Sequence, residues 1–170
     1  MEVVPIKERL SIFYLSCFNI GKIKFAPGTF GSLFGLLVYF INPYYRIEAT
    51  LVLIAINFLI SYFLIDKYNE KFGHDPSWIV QDEVIGMMLT TISPIIPDNF
   101  IWMFFSFALF RLFDIFKPFP INLIDKKVGA FYIIFDDILA GIFALITLQL
   151  LYFIYTMIPF LIIFQKFWIF

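Results

Sequence analysis

Cysteine and histidine are almost missing from this 170-residue chain, which has one of each, Cys17 and His74. A lone cysteine forms no internal disulfide, and without a second His or Cys beside His74 a zinc site of the usual kind is excluded. Any metal here must be held by oxygen. Charge is scarce as well: 15% of residues, with 12 Lys and Arg against 13 Asp and Glu for a net −1. Such a balance creates no field that would draw nucleic acid to the chain. In place of charge the sequence is 62% hydrophobic and 22% aromatic, with 25 Phe, and its mean hydropathy is +0.92. That composition excludes a water-soluble globule and a disordered chain and makes the lipid bilayer the expected solvent. The aromatic excess fits lipid-facing and interfacial side chains.

Four apolar stretches stand out: Phe30 to Ile41, Thr50 to Ile65, Val84 to Phe110 interrupted at Pro94 to Asn99, and Ile138 to Phe170 interrupted at Pro159. A helix rising 1.5 Å per residue needs ~20 apolar residues to cross a hydrocarbon core of about 30 Å, and only the last stretch has them comfortably. The pattern predicts an all-α, polytopic membrane protein of four or five helices, some of them short. Asn42-Pro43, Pro97-Asp98-Asn99 and Lys117-Pro118-Phe119-Pro120 punctuate the runs as connections. The N-terminal segment opens like a basic n-region, but its apolar run is short, lacks an Ala-x-Ala site and ends at Lys22 and Lys24, so it reads as retained mature protein.

If the segments alternate across the membrane, one side collects Lys7, Arg9, Lys22, Lys24, Lys67, Lys71, Arg111, Lys117, Lys126 and Lys127, against Arg46 opposite and Lys166 in the tail. The positive-inside rule makes the rich side cytoplasmic. Most acids gather on that side too, among them Asp82, Glu83, Asp114, Asp136 and Asp137. Acids contribute little to topology, so their clustering needs another cause.

Four constellations carry the chemistry. Ala26-Pro27-Gly28-Thr29-Phe30-Gly31-Ser32-Leu33, preceded by Lys22 and Lys24, is a glycine and hydroxyl-rich turn into a helix. Its free amides at Gly28 to Ser32 suit phosphate oxygens, with a simple helix cap as the plainer reading. The stretch 74 to 86 sets His74, a candidate proton donor, before Asp82-Glu83 at a helix start. That pair suits either Mg²⁺ or mere capping and dipole complementation. Arg111, Asp114 and Lys117, three apart, fall along one helix face. They read as a metal ligand flanked by two phosphate-binding cations, or as a structural ladder snorkelling to the interface. Asp136-Asp137 again opens an apolar run, with Gly141 echoing Gly86. Crowded carboxylates repel unless cations offset them, and a bound divalent ion explains the crowd economically. Gly86, Ala140 and Gly141 are small enough to let helix backbones close up and bring these ends together.

At these four segments, APGTFGSL at 26 to 33, HDPSWIVQDEVIGM at 74 to 87, FRLFDIFKPFPI at 110 to 121 and FDDILAGI at 135 to 142, the sequence closely resembles the bacterial phosphatidylglycerophosphatase A family. The motifs occur in family order between about Gly21 and Leu145, within a single domain spanning 1–170, and 146–170 matches no motif and reads as a membrane anchor. The resemblance implies a Mg²⁺-dependent phosphatase of the bacterial inner membrane, its site facing the cytoplasm, that removes the terminal phosphate of phosphatidylglycerophosphate in phospholipid biosynthesis. It implies metal ligands among Asp82, Glu83, Asp114, Asp136 and Asp137, with Asp82, Glu83, Asp114, Asp137 and His74 catalytic. Lys24, Gly28, Thr29, Gly31, Ser32, Arg111 and Lys117 then hold substrate phosphate. The implied partners are the phospholipid substrate and the bilayer, and no nucleic acid. Val128 to Ile134 is bulkier than the Gly-rich approach expected before the acidic pair. Two rival readings follow from the same residues: a small cation or proton transporter using the clustered acids, and a metal-dependent phosphatidyl-alcohol transferase, whose longer Asp-Gly, Ala-Arg, Gly and Asp pattern is absent.

Overall fold

A computed structural model of the chain describes residues 5–41, 44–72 and 76–167, with the backbone alone for 69–72 and 159–167. The fold is all-helical, with no strand among the described residues. Among the described residues seven α-helices follow one another: α1 Ile6–Leu15, α2 Pro27–Gly35, α3 Arg46–Phe72, α4 Gln81–Thr90, α5 Phe100–Phe116, α6 Ile121–Ile124 and α7 Ala130–Phe167. Short 3₁₀ turns occupy Ile20–Lys22 and Leu36–Phe40, the second extending α2.

Among the described residues two helices are long and apolar enough to cross a bilayer, Arg46–Tyr68 within α3 and Ala130–Ile158 within α7, with hydropathies of 2.0 and 2.2 over their most apolar windows. Only 11% and 22% of those windows is buried, whereas the core helix of a soluble protein would be mostly covered. By helical rise α5 measures about 25 Å and α4 about 15 Å, both short of the hydrocarbon thickness. The helix expected to open at Ile138 and break at Pro159 instead starts at Ala130 and runs through to Phe167. Its first turns take in the 130 to 134 part of the bulky stretch once Gly129, at φ +127°, has redirected the chain.

The short helix α4 is the centre of the molecule. Gln81, Asp82, Val84, Ile85, Gly86, Met87, Met88 and Thr90 are all buried, and α4 packs against α2, α3, α5 and α7. A helix buried all round must be apolar all round beyond its polar end. Ile85 joins Leu15, Ile65, Tyr68 and Ile134, Met87 joins Leu36, Phe110, Ala140 and Ala144, and Val84 with Met88 joins Cys17 and Val38. The hydroxyls of Thr90 and Thr91 are satisfied within the helix by the carbonyls of Met87 (2.8 Å) and Met88 (2.7 Å). At the next start, Asn99 caps α5 by accepting from the amides of Ile101 and Trp102.

Glycine sets how closely the central helices cross. A Cβ on Gly86 would lie 2.6 Å from the Asp137 carbonyl oxygen and 2.6 Å from the Phe110 ring, and Gly141 is pressed against the Gly86 carbonyl in turn. The backbones of α4 and α7 therefore touch, as the small residues anticipate. The core also extends past Leu145, since Leu148 is fully buried with Trp102 and Ile96, with Tyr152 packed on them. At the far end from the acidic residues, buried Arg46 pairs with Asp98 and lies over the Tyr39 ring at 5.1 Å.

Candidate active site

The starts of α2, α4 and α7 and the end of α5 converge on one cavity of about 240 Å³. Its wall carries Asp82 and Glu83 from the first turn of α4, Asp114 from the last turn of α5, Asp136 and Asp137 from α7, Lys117, and Gly28. Carboxyl oxygens of Asp82, Glu83 and Asp137 all lie within 4.8 Å of one another. Asp82 does not cap α4: the N-cap is Val80, which places both acids inside the first turn, facing the helix's positive end. Asp136-Asp137 does not open its helix either, because α7 begins at Ala130 and the pair sits nearly two turns in.

Arg111 and Lys117 do not form the continuous ladder with Asp114 that their spacing suggests. Arg111 keeps to the pattern, its Nη1 donating to Asp114 Oδ2 at 2.5 Å. Lys117 leaves it because α5 ends at Phe116 and Lys117 takes the left-handed conformation, φ 42°. That turn swings its ammonium to Asp136 Oδ2 at 2.5 Å and to Asp125. Arg111 stands behind the cavity wall, and its Nη1 also donates to the fully buried Ser32 hydroxyl at 3.3 Å. Ser32 in turn donates to the Gly28 carbonyl at 2.8 Å, so its contacts run to Arg111 and the α2 backbone.

The glycine-rich turn contributes less to the cavity than its composition suggests. The amides of Thr29 and Phe30 are both taken by the Ala26 carbonyl, at 3.0 and 3.4 Å. Gly31 packs on Val80, Thr29 does not reach the lining, and Lys24 is exposed away from it. Gly28 is the exception, for a Cβ there would collide with Glu83 Oε1 and lie 3.3 Å from Arg111 Nη1. The absent side chain is what lets Glu83 and Arg111 approach. His74 lies outside the described residues. Asp125, Ser77 and Tyr132 add further polar groups to the wall, and Pro27, Ile79 and Ile133 its apolar part. Ser77 falls inside the 74 to 87 motif, whereas Asp125 and Tyr132 lie outside all four motifs, although Asp125 precedes the Lys126-Lys127 pair.

Electrostatically the site is overloaded with one sign. Among the described residues, the cations beside Asp82, Glu83, Asp114, Asp125, Asp136 and Asp137 are Arg111 and Lys117, a formal excess of four negative charges within this group if all six acids ionise. Burial pushes the Glu83 carboxyl up to about 8, the charges of Asp137 and Asp114 push the same way, and a hydrogen bond with Asp82 and the Arg111 charge offset this only in part. Burial alone would lower Lys117, yet its hydrogen bonds with Asp125 and Asp136 outweigh that and hold the amine above its ordinary range. Glu83 Oε2 is buried without a hydrogen-bond partner. A hard divalent cation fits this donor set: all-oxygen ligands, an orphaned carboxylate oxygen, and excess negative charge to neutralise.

A family model described as phosphatidylglycerophosphatase A matches residues 13–152. Among curated proteins, the chain is 40% identical over 133 residues to a Haemophilus influenzae protein named phosphatidylglycerophosphatase A, covering 76% of this chain and 80% of the relative. It is 33% identical over 140 residues to the Escherichia coli protein of the same name, covering 81% and 78%. A Bacteroides thetaiotaomicron protein, provisionally named a phosphatidylinositol-3-phosphatase, is 32% identical over 137 residues, covering 76% and 85%. No solved structure matches the chain.

Proposed function

The chain belongs to the phosphatidylglycerophosphatase A family and is a phosphatase, and from that premise we propose that it hydrolyses the terminal phosphomonoester of phosphatidylglycerophosphate, using Mg²⁺, to give phosphatidylglycerol for phospholipid biosynthesis. The observation that carries the reading is the convergence of Asp82, Glu83 and Asp137 at the floor of a cavity that also presents Lys117.

Asp82, Glu83 and Asp137 are the proposed ligands. Mg²⁺ bound there supplies Lewis-acid polarisation and the positive charge that lets a phosphate dianion share a cavity with carboxylates. Asp114 and Asp136 flank this triad and orient the two cations, Arg111 through the 2.5 Å contact and Lys117 across the turn. Lys117 exchanges its Asp125 contact for a phosphate oxygen, and Arg111 and the Gly28 backbone add positive potential as charge grows on the equatorial oxygens. Water oxygen bonds to phosphorus as the phosphorus–alkoxy bond breaks. The departing alkoxide takes a proton from water or from His74. The rival transport and transferase readings lose ground to the family match.

The structural frame suits a lipid substrate. We place the protein as a multi-pass chain in the bacterial inner membrane, with α3 and α7 as full spans and the remaining apolar helices partly crossing. The cavity end carries Lys22, Lys24, Lys67, Arg111, Lys117, Lys126 and Lys127 against Arg46, and Lys166 near the end of α7, at the other, which by the positive-inside rule makes the cavity end the cytoplasmic face. A phospholipid presents its phosphate at that depth without leaving the bilayer. The Bacteroides relative's name supplies a competing substrate, a phosphoinositide. Phosphate release from phosphatidylglycerophosphate and from phosphatidylinositol-3-phosphate, compared as kcat/KM in the same mixed micelles, tests the assignment. A clear preference for the glycerol lipid is expected, and a preference for the inositol lipid would replace it.

A further inference from the structure

The proposed substrate carries two phosphates, the terminal monoester and the diester that joins the headgroup to the diacylglycerol. The cavity has cations for the first alone. Among the described residues Arg111 is paired with Asp114, and Lys117 with Asp125 and Asp136. A second anion set among the same carboxylates would meet like charge on every side, so the diester belongs where the sign of the wall reverses.

That reversal occurs at one lip of the cavity. Tyr132 lines the cavity, and the ammonium of Lys127 lies 5.1 Å from the centre of the Tyr132 ring, a cation–π arrangement that steadies a long, exposed side chain. Asp125, two residues earlier, lines the same wall, which sets Lys127 between two residues of the mouth. Among the described residues no carboxylate pairs with Lys127. Tyr132 and Asp136 are four apart on α7, on one face and separated by about 6 Å of helical rise. The ring therefore stands one turn beyond Asp136, the partner of Lys117, and a three-carbon glycerol bridge with its ester oxygens covers such a gap. Between Lys127 and Tyr132 in the chain, Val128 and Phe131 are exposed hydrophobics, and apolar and aromatic side chains beside a lysine suit the interfacial layer of a membrane. The diester, tied directly to the glycerol that carries the tails, occupies that layer.

We propose that Lys127, held over the Tyr132 ring, binds the phosphodiester of the substrate lipid while the monoester enters the cavity, so that the protein selects lipids carrying both. The proposal rests on the phosphatase reading and concerns selection of substrate. Lys127 leaves the chemical step to the residues of the cavity, and Tyr132 is its positioning residue.

The test follows phosphate release from phosphatidylglycerophosphate by the full chain in mixed micelles of neutral detergent, with two water-soluble competitors. Glycerophosphoglycerophosphate, the deacylated headgroup, has both phosphates, and glycerol 3-phosphate has the monoester alone. Neither has tails, so the ratio of their inhibition constants reports the second phosphate. The parent chain is expected to bind the two-phosphate competitor roughly tenfold more tightly, the worth of one hydrogen bond to a charged group. Lys127→Met should abolish that preference and raise KM for the lipid about tenfold, with kcat within about twofold. Lys127→Arg, which keeps the charge and stacks on the ring, should retain most of it, and Tyr132→Leu should narrow it about threefold. Lys126→Met, which removes the same charge one residue away, should leave the preference intact. No preference in the parent chain, a preference that survives Lys127→Met, or equal losses from Lys126→Met and Lys127→Met would overturn the proposal, and a full preference in Tyr132→Leu would overturn the role given to the ring. Release from the lipid without a headgroup preference sinks this inference alone, whereas no release sinks the phosphatase reading with it.

Discussion

Placing a methyl group at the crossing of α4 and α7, by Gly86→Ala, should damage catalysis more than stability. The new Cβ would stand 2.6 Å from the Asp137 carbonyl oxygen and from the Phe110 ring, whereas ordinary contact begins at 3.4 Å, so the backbones must part by about 0.8 Å. Alanine's better helix propensity returns up to ~1 kcal/mol, while overpacking costs about 1–3 kcal/mol, so a modest net loss of stability is expected. The displacement, however, acts directly between Asp82 and Glu83 on one helix and Asp137 on the other, and misplacement of catalytic groups by about 1 Å costs ~100-fold. We expect kcat to fall roughly 10- to 100-fold with a smaller change in KM. The assay is phosphate release in mixed micelles at saturating Mg²⁺, beside the thermal unfolding of the same preparation. A variant that unfolds earlier yet keeps kcat within about twofold would refute the claim that this helix contact sets the metal geometry.

Three further outcomes follow from contacts at and away from the cavity. Ser32→Ala removes one of the two side-chain acceptors that hold Arg111 Nη1, and kcat/KM should drop about tenfold, the worth of a hydrogen bond to a charged group, as read by steady-state kinetics. Asp98→Asn at the opposite end leaves the Arg46 cation, 5% exposed, without its counter-charge. Stability should fall by no more than about 3 kcal/mol, the low end for a broken buried pair because Asp98 is partly exposed, with kcat per folded molecule unchanged. For pH, Glu83 is raised from 4.5 to about 8 in the folded chain, so its contribution to the stability of the metal-free protein is full below about 4.5 and is lost as pH rises through about 8. Mg²⁺ binds the ionised form and should raise the unfolding temperature more at high pH than at low, a difference seen by comparing Mg²⁺ with chelator across that window.

The chemistry of the site was legible in the sequence wherever the signal was local. Adjacent acids at 82–83 and 136–137, and Arg111 with Asp114 three residues on, announce themselves by residue type and spacing, and Gly86 with Gly141 announces a close crossing. What stayed hidden depended on chain reversal or on which helix is central. A hydropathy pattern ranks α4 as a weak, short segment, yet burial on all sides makes it the axis of the fold. The left-handed residue at Lys117 breaks a periodicity that reads as continuous, and so couples Lys117 to Asp136 and Asp125. Asp125 and Tyr132 join the wall only because the chain turns back through α6. In the 26 to 33 segment, glycine and hydroxyl composition suggests a phosphate cradle, whereas the Ala26 carbonyl occupies the amides of Thr29 and Phe30, and Gly31 serves contact with Val80. Composition does not reveal which amides are already spent on helix initiation.

The account's central claim is that Asp82, Glu83 and Asp137 hold the divalent ion that hydrolysis requires. The most direct measurement is phosphate release from phosphatidylglycerophosphate by the purified protein in mixed micelles, with Mg²⁺ and with chelator, beside Asp137→Asn shown to insert and fold normally. The account predicts release with Mg²⁺, none with chelator, and none above background from the variant under either condition. Release that persists in chelator, or a folded variant as active as the parent chain, would contradict it.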